Sequence, residues 1–238
     1  MKKEKLTIIK VGGKIVEDES ALRRLLADFS TMDGKKLLVH GGGRSATALA
    51  ARLGIETKMV EGRRITDDAM LEVVVMVYGG FVNKRIVAGL QAIGVNAVGL
   101  TGADMDVVLS VRRPAGKVDY GWVGDVRRVN ADAVSMLIEN GCCPVIAPIT
   151  HDGEGHLLNT NADTMAGETA KALAQRYEVE LVYCFEKAGV LSDGNDDNSV
   201  IKEINSCKYK ELKDSGVVSG GMIPKLDNAF ACISAGVS

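Results

Sequence analysis

The sequence has none of the short motifs that mark the commoner nucleotide, metal and hydrolytic sites. There is no GxxxxGK[ST] string, which excludes a P-loop, and Gly99 with Gly102 does not make a GxGxxG dinucleotide turn. HExxH and GxSxG are absent as well. Its five cysteines are odd in number and contain no CxxC pair, so they read as reduced cytosolic thiols packed as small hydrophobes. His151 and His156 lie in a glycine-rich loop without cysteines at zinc spacing and read as solvated. Basic excess is lacking too. A formal net charge of −2 argues against nucleic acid as the main partner, though not against a small anion in a local pocket. No apolar run approaches the roughly 18 residues of a membrane helix. The start, Met1 to Lys5, leads straight into a strand and reads as no signal peptide, so the expectation is a cytoplasmic protein without a membrane partner. Neither an internal repeat nor a low-complexity linker interrupts the chain.

What is present is glycine, 27 residues of it against 4% aromatics, which suits an enzyme with many tight strand-to-helix turns. Leu6 to Val11 forms a short apolar strand ending in Gly12-Gly13. Leu22, Leu25, Leu26 and Phe29 recur at helical spacing. Leu37 to Val39 is a buried strand ending in His40-Gly41-Gly42-Gly43. The next helix carries Ala46, Leu49, Ala50 and Leu53, with Gly54 to stop it. Thr66-Asp67-Asp68 caps a long helix running through Ala92, whose apolar residues on several faces demand burial in a core or a subunit interface. Val95 to Leu100 is a strand, and Val107 to Val129 reads as a β-hairpin excursion. Asn130 caps a helix closed by Gly141; Pro144 to Ile149 is a strand; Asn161 caps a helix with Ala166, Ala170 and Leu173. Leu181 to Phe185 is a strand followed by a polar loop, Asp193 to Ser199. Pro224 takes the first position of a last helix, with Leu226, Phe230 and Ile233 on one face. Strands alternating with helices imply an α/β fold with a mainly parallel sheet covered on both faces.

Ligands of such sheets bind beyond the carboxyl ends of the strands, and four clusters fall near such positions. Lys10-Val11-Gly12-Gly13 joins a positive charge to a backbone that allows close approach. Its alternative is a turn beside a solvated lysine. His40 to Gly43 exposes successive N–H groups ahead of a helix, an arrangement that favours an anion; the alternative is a flexible turn needing positive φ, but three glycines exceed what one turn needs. His40 by itself reads as a packed, hydrogen-bonded histidine. Asn159 to Asp163 contains a helix cap that any stable helix would choose. In Gly220 to Lys225, a lysine in a first helical turn opposes the helix dipole unless it faces a phosphate.

In their shared order, these clusters resemble the amino acid kinase family, and its acyl-glutamate branch in particular. The resemblance runs from Leu6 to about Ala235. It is carried by Ile9-Lys10-Val11-Gly12-Gly13, Val39 to Gly43, Gly62-Arg63-Arg64-Ile65-Thr66, Leu158 to Asp163 and Gly221 to Lys225. Aspartokinases typically follow KxGG with Thr-Ser, where this chain has Lys14-Ile15, and uridylate kinases follow the triple glycine with Asn, where it has Arg44. The resemblance implies a three-layer αβα sandwich. An N-terminal lobe, residues 1–172, would bind the amino-acid substrate and dimerise; a C-terminal lobe, 173–238, would bind ATP. The implied reaction is ATP-dependent phosphorylation of the γ-carboxylate of N-acetyl-L-glutamate in arginine biosynthesis. Alternatives are another N-acyl-glutamate, such as N-succinyl-L-glutamate, or a non-catalytic binding module on the same fold.

By the same resemblance Lys10 and Lys225 would bind the phosphates and stabilise the transferring phosphoryl group, and Asp163 would orient the two lysines. Gly12, Gly13, Gly41, Gly42 and Gly43 would donate N–H groups to phosphate and acceptor oxygens. Arg64 would clamp the substrate α-carboxylate with Asn159 at the same end, and Mg²⁺ would be held mainly by the nucleotide. Three departures stand out. Phe185 to Gly189 has Glu186 where the family usually has an aspartate. The sequence stops at Ser238, where the family continues with another strand. No helical extension precedes Leu6, which suggests a homodimer through the helix from Thr66 to Ala92 rather than an arginine-inhibited hexamer.

Overall fold

Alternation along the first strand sets the layering. In the computed structural model, which describes residues 3–60 and 62–238, β1 (Lys5–Val11) sends Leu6 and Ile8 to one face and Ile9 and Val11 to the other. The two sets belong to separate apolar cores. β2 (Lys35–His40) repeats the division, with Leu37 and Val39 in the first core and Leu38 in the second. The second core is covered by α1 (Gly13–Glu17), α2 (Glu19–Thr31), α3 (Gly43–Arg52) and a long helix. The first is covered by helices that follow later in the chain.

That long helix joins α4 (Asp68–Val74), a π-wound stretch Val75–Val82 and α5 (Asn83–Gln91) end to end. Asp67 caps it by accepting from Met70 N at 2.9 Å. Over an 18-residue window it is apolar enough to suit a bilayer. Its inner residues, Met70, Val73, Val77, Val82, Ile86 and Leu90, are instead the wall of the second core. Met76 and Phe81 on its outer side remain more than half exposed.

A hairpin β3 (Met59–Val60)/β4 (Arg63–Arg64) precedes the helix, and β5 (Ala97–Leu100) follows it. β6 (Val108–Arg112) and β7 (Gly124–Val129) form the hairpin expected from the sequence. α6 (Ala131–Glu139) and α7 (Ala162–Leu173) then cover the first core, capped by Asn130 and Asn161 as expected. The strand expected over 144–149 divides. β8 (Cys143–Ile146) stays in the central sheet; beyond Ala147-Pro148 the chain turns into β9 (Ile149–His151), which pairs with β10 (Leu157–Asn159) in a second sheet, β10-β9-β6-β7. With β11 (Glu178–Cys184), the central sheet has the order β11-β1-β2-β8-β5, every neighbour parallel. This is the expected three-layer αβα sandwich. On the outer edge of β11, Ser238 already pairs: its N–H donates to Val179 O at 2.9 Å and its carbonyl accepts from Leu181 N at 2.7 Å.

Two helices close the chain. α8 (Ser206–Asp214) buries only Leu212, too weak an apolar pattern to be read from the sequence. α9 (Met222–Ser234) begins two residues before Pro224, which sits in the first turn, where its missing N–H costs no helical bond. Its inward residue is Cys232, with Sγ 3.6 Å from Gly167 O of α7. Ile233, expected on the inner face, is exposed.

One buried polar network ties these layers at the end of β2. Asn83 Nδ2 donates to Val145 O at 2.9 Å and to His40 Nε2 at 3.1 Å. His40 Nδ1–H then donates to Gly41 O at 2.7 Å. Burial holds the imidazole neutral, with its pKa pushed down to about 4. His40 is thus a structural residue fixing the peptide that follows it. Replacing Asn83 with Ala leaves a buried carbonyl and an imidazole nitrogen unpaired. The expected loss is about 2–4 kcal/mol of unfolding free energy by urea titration; a loss under about 0.5 kcal/mol contradicts the network's role.

Candidate functional site

The glycine turns after β1 and β2 lie side by side and are laced to the strands around them. Gly12 N–H donates to Cys184 O at 2.8 Å, and Gly41 N–H donates to Val11 O at 3.0 Å. These bonds correct one expectation: Gly12 and Gly41 have no N–H to offer a ligand, and they serve the backbone path instead. Among the described residues, no acceptor meets the N–H of Gly13, Gly42 or Gly43. Gly13 and Gly43 each open a helix, α1 and α3, where unpaired N–H groups cluster and the dipole of the longer α3 adds to them.

Lys10 follows Leu6 and Ile8 on the β1 face that packs against α7. The first turn of α7 carries Asp163, held there by its cap: Asn161 Oδ1 accepts from Asp163 N at 2.8 Å and Thr164 N at 3.0 Å. Lys10 Nζ lies 2.7 Å from Asp163 Oδ1, an ion pair outside good hydrogen-bond angles. From the first turn of α9, Lys225 Nζ donates to Asp163 Oδ2 at 2.8 Å. The aromatic rings of Tyr183 and Phe185 lie 5.1 and 5.7 Å from the Lys225 ammonium. All three charged side chains are at least four-fifths buried. Two ammonium groups on one carboxylate leave a net charge of +1 with little water to screen it, which favours an anion. Burial lowers the Lys10 pKa, Lys225 lowers it further, and Asp163 opposes both. Burial pushes the Asp163 carboxyl up, but the two lysines outweigh it and hold it below the ordinary range.

A cleft of about 210 Å³ adjoins this cluster, lined by Gly41 to Gly43, Arg64, Tyr78 and Asn159 among others. Arg64 is 8% exposed. Nη2 donates to Gly43 O at 2.7 Å and Thr47 Oγ1 at 2.8 Å, while Nη1 reaches Thr57 Oγ1 at 3.3 Å. Among the described residues, no carboxylate lies within ion-pair distance of it, so a nearly buried guanidinium faces the cleft without a counter-charge. Asn159 Nδ2 donates to Thr66 Oγ1 at 3.0 Å. A second hollow of about 490 Å³ shares Arg63, Asn161 and Thr164 with the first and reaches Asp163, Gly221 and Pro224. Residues of the five separated sequence clusters therefore come together through the Lys10–Asp163–Lys225 ion pairs and two hollows that share lining residues, at the carboxyl ends of β1 and β2 and the first turns of α7 and α9.

Sequence reasoning missed Tyr78, Arg63 and the pair Arg113–Asp125, which line the first cleft. Arg113, just past the end of β6, donates from Nε to Asp125 Oδ2 of β7 at 3.0 Å; opposite charges on the two arms of one hairpin were the available signal. Glu186 pairs with Lys14 at 2.7 Å, and that lysine holds its carboxyl below the usual range. His151 is not solvated, as expected from the sequence, but largely buried, with Nε2 2.9 Å from Asp106 Oδ1. His156 is half exposed, bonds Asp152 and stacks on Trp122. All five thiols are free; Cys143 and Cys232 are buried.

The cluster makes a titration prediction. The folded Lys10 amine, its pKa below the ordinary value of 10.5, loses its proton at lower pH than an exposed lysine. Asp163→Asn removes the charge that opposes the lowering, so the Lys10 resonance in ¹³Cε-lysine NMR should titrate at still lower pH. An unchanged or higher midpoint contradicts the electrostatic coupling.

The model of the amino acid kinase family matches residues 5–238. The chain is 69% identical to the acetylglutamate kinase of Phocaeicola vulgatus, over 99% of this chain and 92% of that one. It is 65% identical to the acetylglutamate kinase of Parabacteroides distasonis, over 98% and 92%. Among solved structures, smu.665 from Streptococcus mutans UA159 superposes with a TM-score of 0.84 at 29% identity, over 98% of this chain and 92% of that one.

Proposed function

The chain belongs to the amino acid kinase family, and on that premise we propose that it transfers the γ-phosphoryl group of ATP to the γ-carboxylate of N-acetyl-L-glutamate, forming N-acetyl-L-glutamyl 5-phosphate in arginine biosynthesis. The observation that carries the chemistry is the Lys10–Asp163–Lys225 cluster beside Arg64, which has no ion-pair partner among the described residues. A carboxylate nucleophile is already ionised at pH 7 and needs no general base. The barrier is the approach of one anion to another, and the remedy is positioning plus fixed positive charge.

In this reading Lys10 and Lys225 bind the transferring phosphoryl group, and Asp163 positions them. The N–H groups of Gly13, Gly42 and Gly43 donate to phosphate and acceptor oxygens, with Gly12 and Gly41 shaping the turns. Arg64 clamps the α-carboxylate through its planar fork, and Asn159 binds the same end. Residues 1–172 serve the amino acid and 173–238 the nucleotide, although β11 of the latter pairs with β1 in one sheet. Both oxygens of Asp163 are taken by lysines, which suits an Mg²⁺ carried by the nucleotide phosphates rather than by this carboxylate. When bound, the ion adds positive charge at the phosphate oxygens. The exposed Met76 and Phe81 on the long helix suit a homodimer through that face. Five free thiols suit a cytoplasmic location.

The direct test incubates the protein with ATP, Mg²⁺ and N-acetyl-L-glutamate and traps the acyl phosphate with hydroxylamine. Hydroxamate should form in step with ADP, and faster than with N-succinyl-L-glutamate. No hydroxamate from any N-acyl-glutamate contradicts the assignment. Lys10→Ala should lower kcat by about 10²–10³; wild-type turnover in that variant contradicts the role given to Lys10.

A further inference from the structure

The long helix carries a single tyrosine in an otherwise apolar stretch. Tyr78 lies within the π-wound segment Val75–Val82, 6% exposed. Its ring packs against the triple-glycine turn: a Cβ placed on Gly42 would lie 2.8 Å from Tyr78 Cδ1 and 3.1 Å from Cε1. Gly42 is therefore small because the tyrosine ring occupies the space beside it. The hydroxyl reaches one residue further. A Cβ placed on Gly43 would have Tyr78 Oη at 3.8 Å and Arg64 Nη2 at 3.9 Å as its neighbours. Phenol and guanidinium converge on one point of the wall that both contribute to the cleft.

The two groups differ in how far they are satisfied. Arg64 is held by Gly43, Thr47 and Thr57. The Tyr78 hydroxyl oxygen lies beside the Arg64 guanidinium, which interacts with it as a donor, while among the described residues no group accepts its O–H. With the guanidinium on its oxygen, the phenol keeps its own proton to donate to an acceptor that enters the cleft. Burial raises its pKa further than Arg64 lowers it, so it remains a neutral donor. The π winding sits where the helix meets the turn, and such irregular winding recurs at functional sites.

We infer that Tyr78 binds substrate, its hydroxyl donating a hydrogen bond to the carboxylate that Arg64 clamps. The inference rests on the carboxylate-kinase reading above. Arg64 supplies the charge; Tyr78 supplies a directed donor that adds no charge to a cleft already rich in cations. Tyr78→Phe keeps the ring against Gly42 and removes only the hydroxyl, so the fold is retained.

Steady-state kinetics of wild type and Tyr78→Phe with N-acetyl-L-glutamate and ATP test it, alongside thermal melts of both. In the variant, KM for the acyl-glutamate should rise about tenfold or more. The kcat and the KM for ATP should stay within about twofold, and the melting midpoint should hold, a split that a merely structural role would not produce. An unchanged acyl-glutamate KM overturns the inference and leaves the kinase reading intact. So does a loss confined to kcat. Wild-type protein that forms no acyl phosphate overturns both.

Discussion

The site depends on one carboxylate holding two ammonium groups. Without Asp163, Lys10 and Lys225 would bring like charges together in a largely buried place, and each would be driven either apart or toward its neutral form. With it, both Asp163 oxygens are engaged at 2.7 and 2.8 Å, and the surplus is one positive charge. Each partner comes from a different element. Lys10 is at the end of a central strand, Asp163 in the first turn of α7, and Lys225 in the first turn of α9. The ion pairs therefore join the sheet to the two helices whose ends border the second hollow, and the geometry of the charge is as fixed as the packing that carries it.

The rest of the arrangement serves the same end by neutral means. The His40–Asn83–Val145 network fixes the peptide at the start of the triple-glycine turn, and the backbone bonds of Gly12 and Gly41 set the path of both turns. Those bonds reduce the number of free N–H donors but determine where the remaining ones lie. Preorganised donors of this kind need little rearrangement as charge develops, which is where such a site gains over water. Arg64, with no carboxylate at ion-pair distance among the described residues, places a second positive charge in the adjoining cleft. The substrates of the proposed reaction are themselves anions, so the protein's near-neutral net charge conceals a strongly cationic centre.

Much of this was legible in the sequence, for identifiable reasons. Period-two alternation in Leu6 to Val11 and helical spacing in Leu22 to Phe29 are local, and so are the caps Asp67, Asn130 and Asn161. The convergence of Lys10, Asp163 and Lys225 was legible only through the order of motifs, since no local rule joins residues so far apart. What was hidden depended on distant partners. Whether a turn glycine has a free N–H is decided by Cys184 and by Val11, not by the glycine. The inward face of α9 is decided by the gap at Gly167, which admits Cys232 and leaves Ile233 outside. The departure of the chain from the central sheet at Ala147-Pro148 was hidden because the apolar run Pro144 to Ile149 continues across it, from β8 into the first residue of β9. The π winding that carries Tyr78 likewise has no signal in composition or period.

A catalytic centre built from fixed charge should recognise the reaction's transition state better than its substrates. The most direct measurement is calorimetric titration of the protein with N-acetyl-L-glutamate, Mg·ADP and aluminium fluoride, a planar mimic of the transferring phosphoryl group. Wild type should bind the ADP–fluoride combination at least about 100-fold more tightly than ADP in the same mixture without fluoride. That increment should vanish in Lys10→Ala/Lys225→Ala. Equal affinity with and without fluoride in the wild-type protein would contradict the central claim that the Lys10–Asp163–Lys225 cluster is built for phosphoryl transfer.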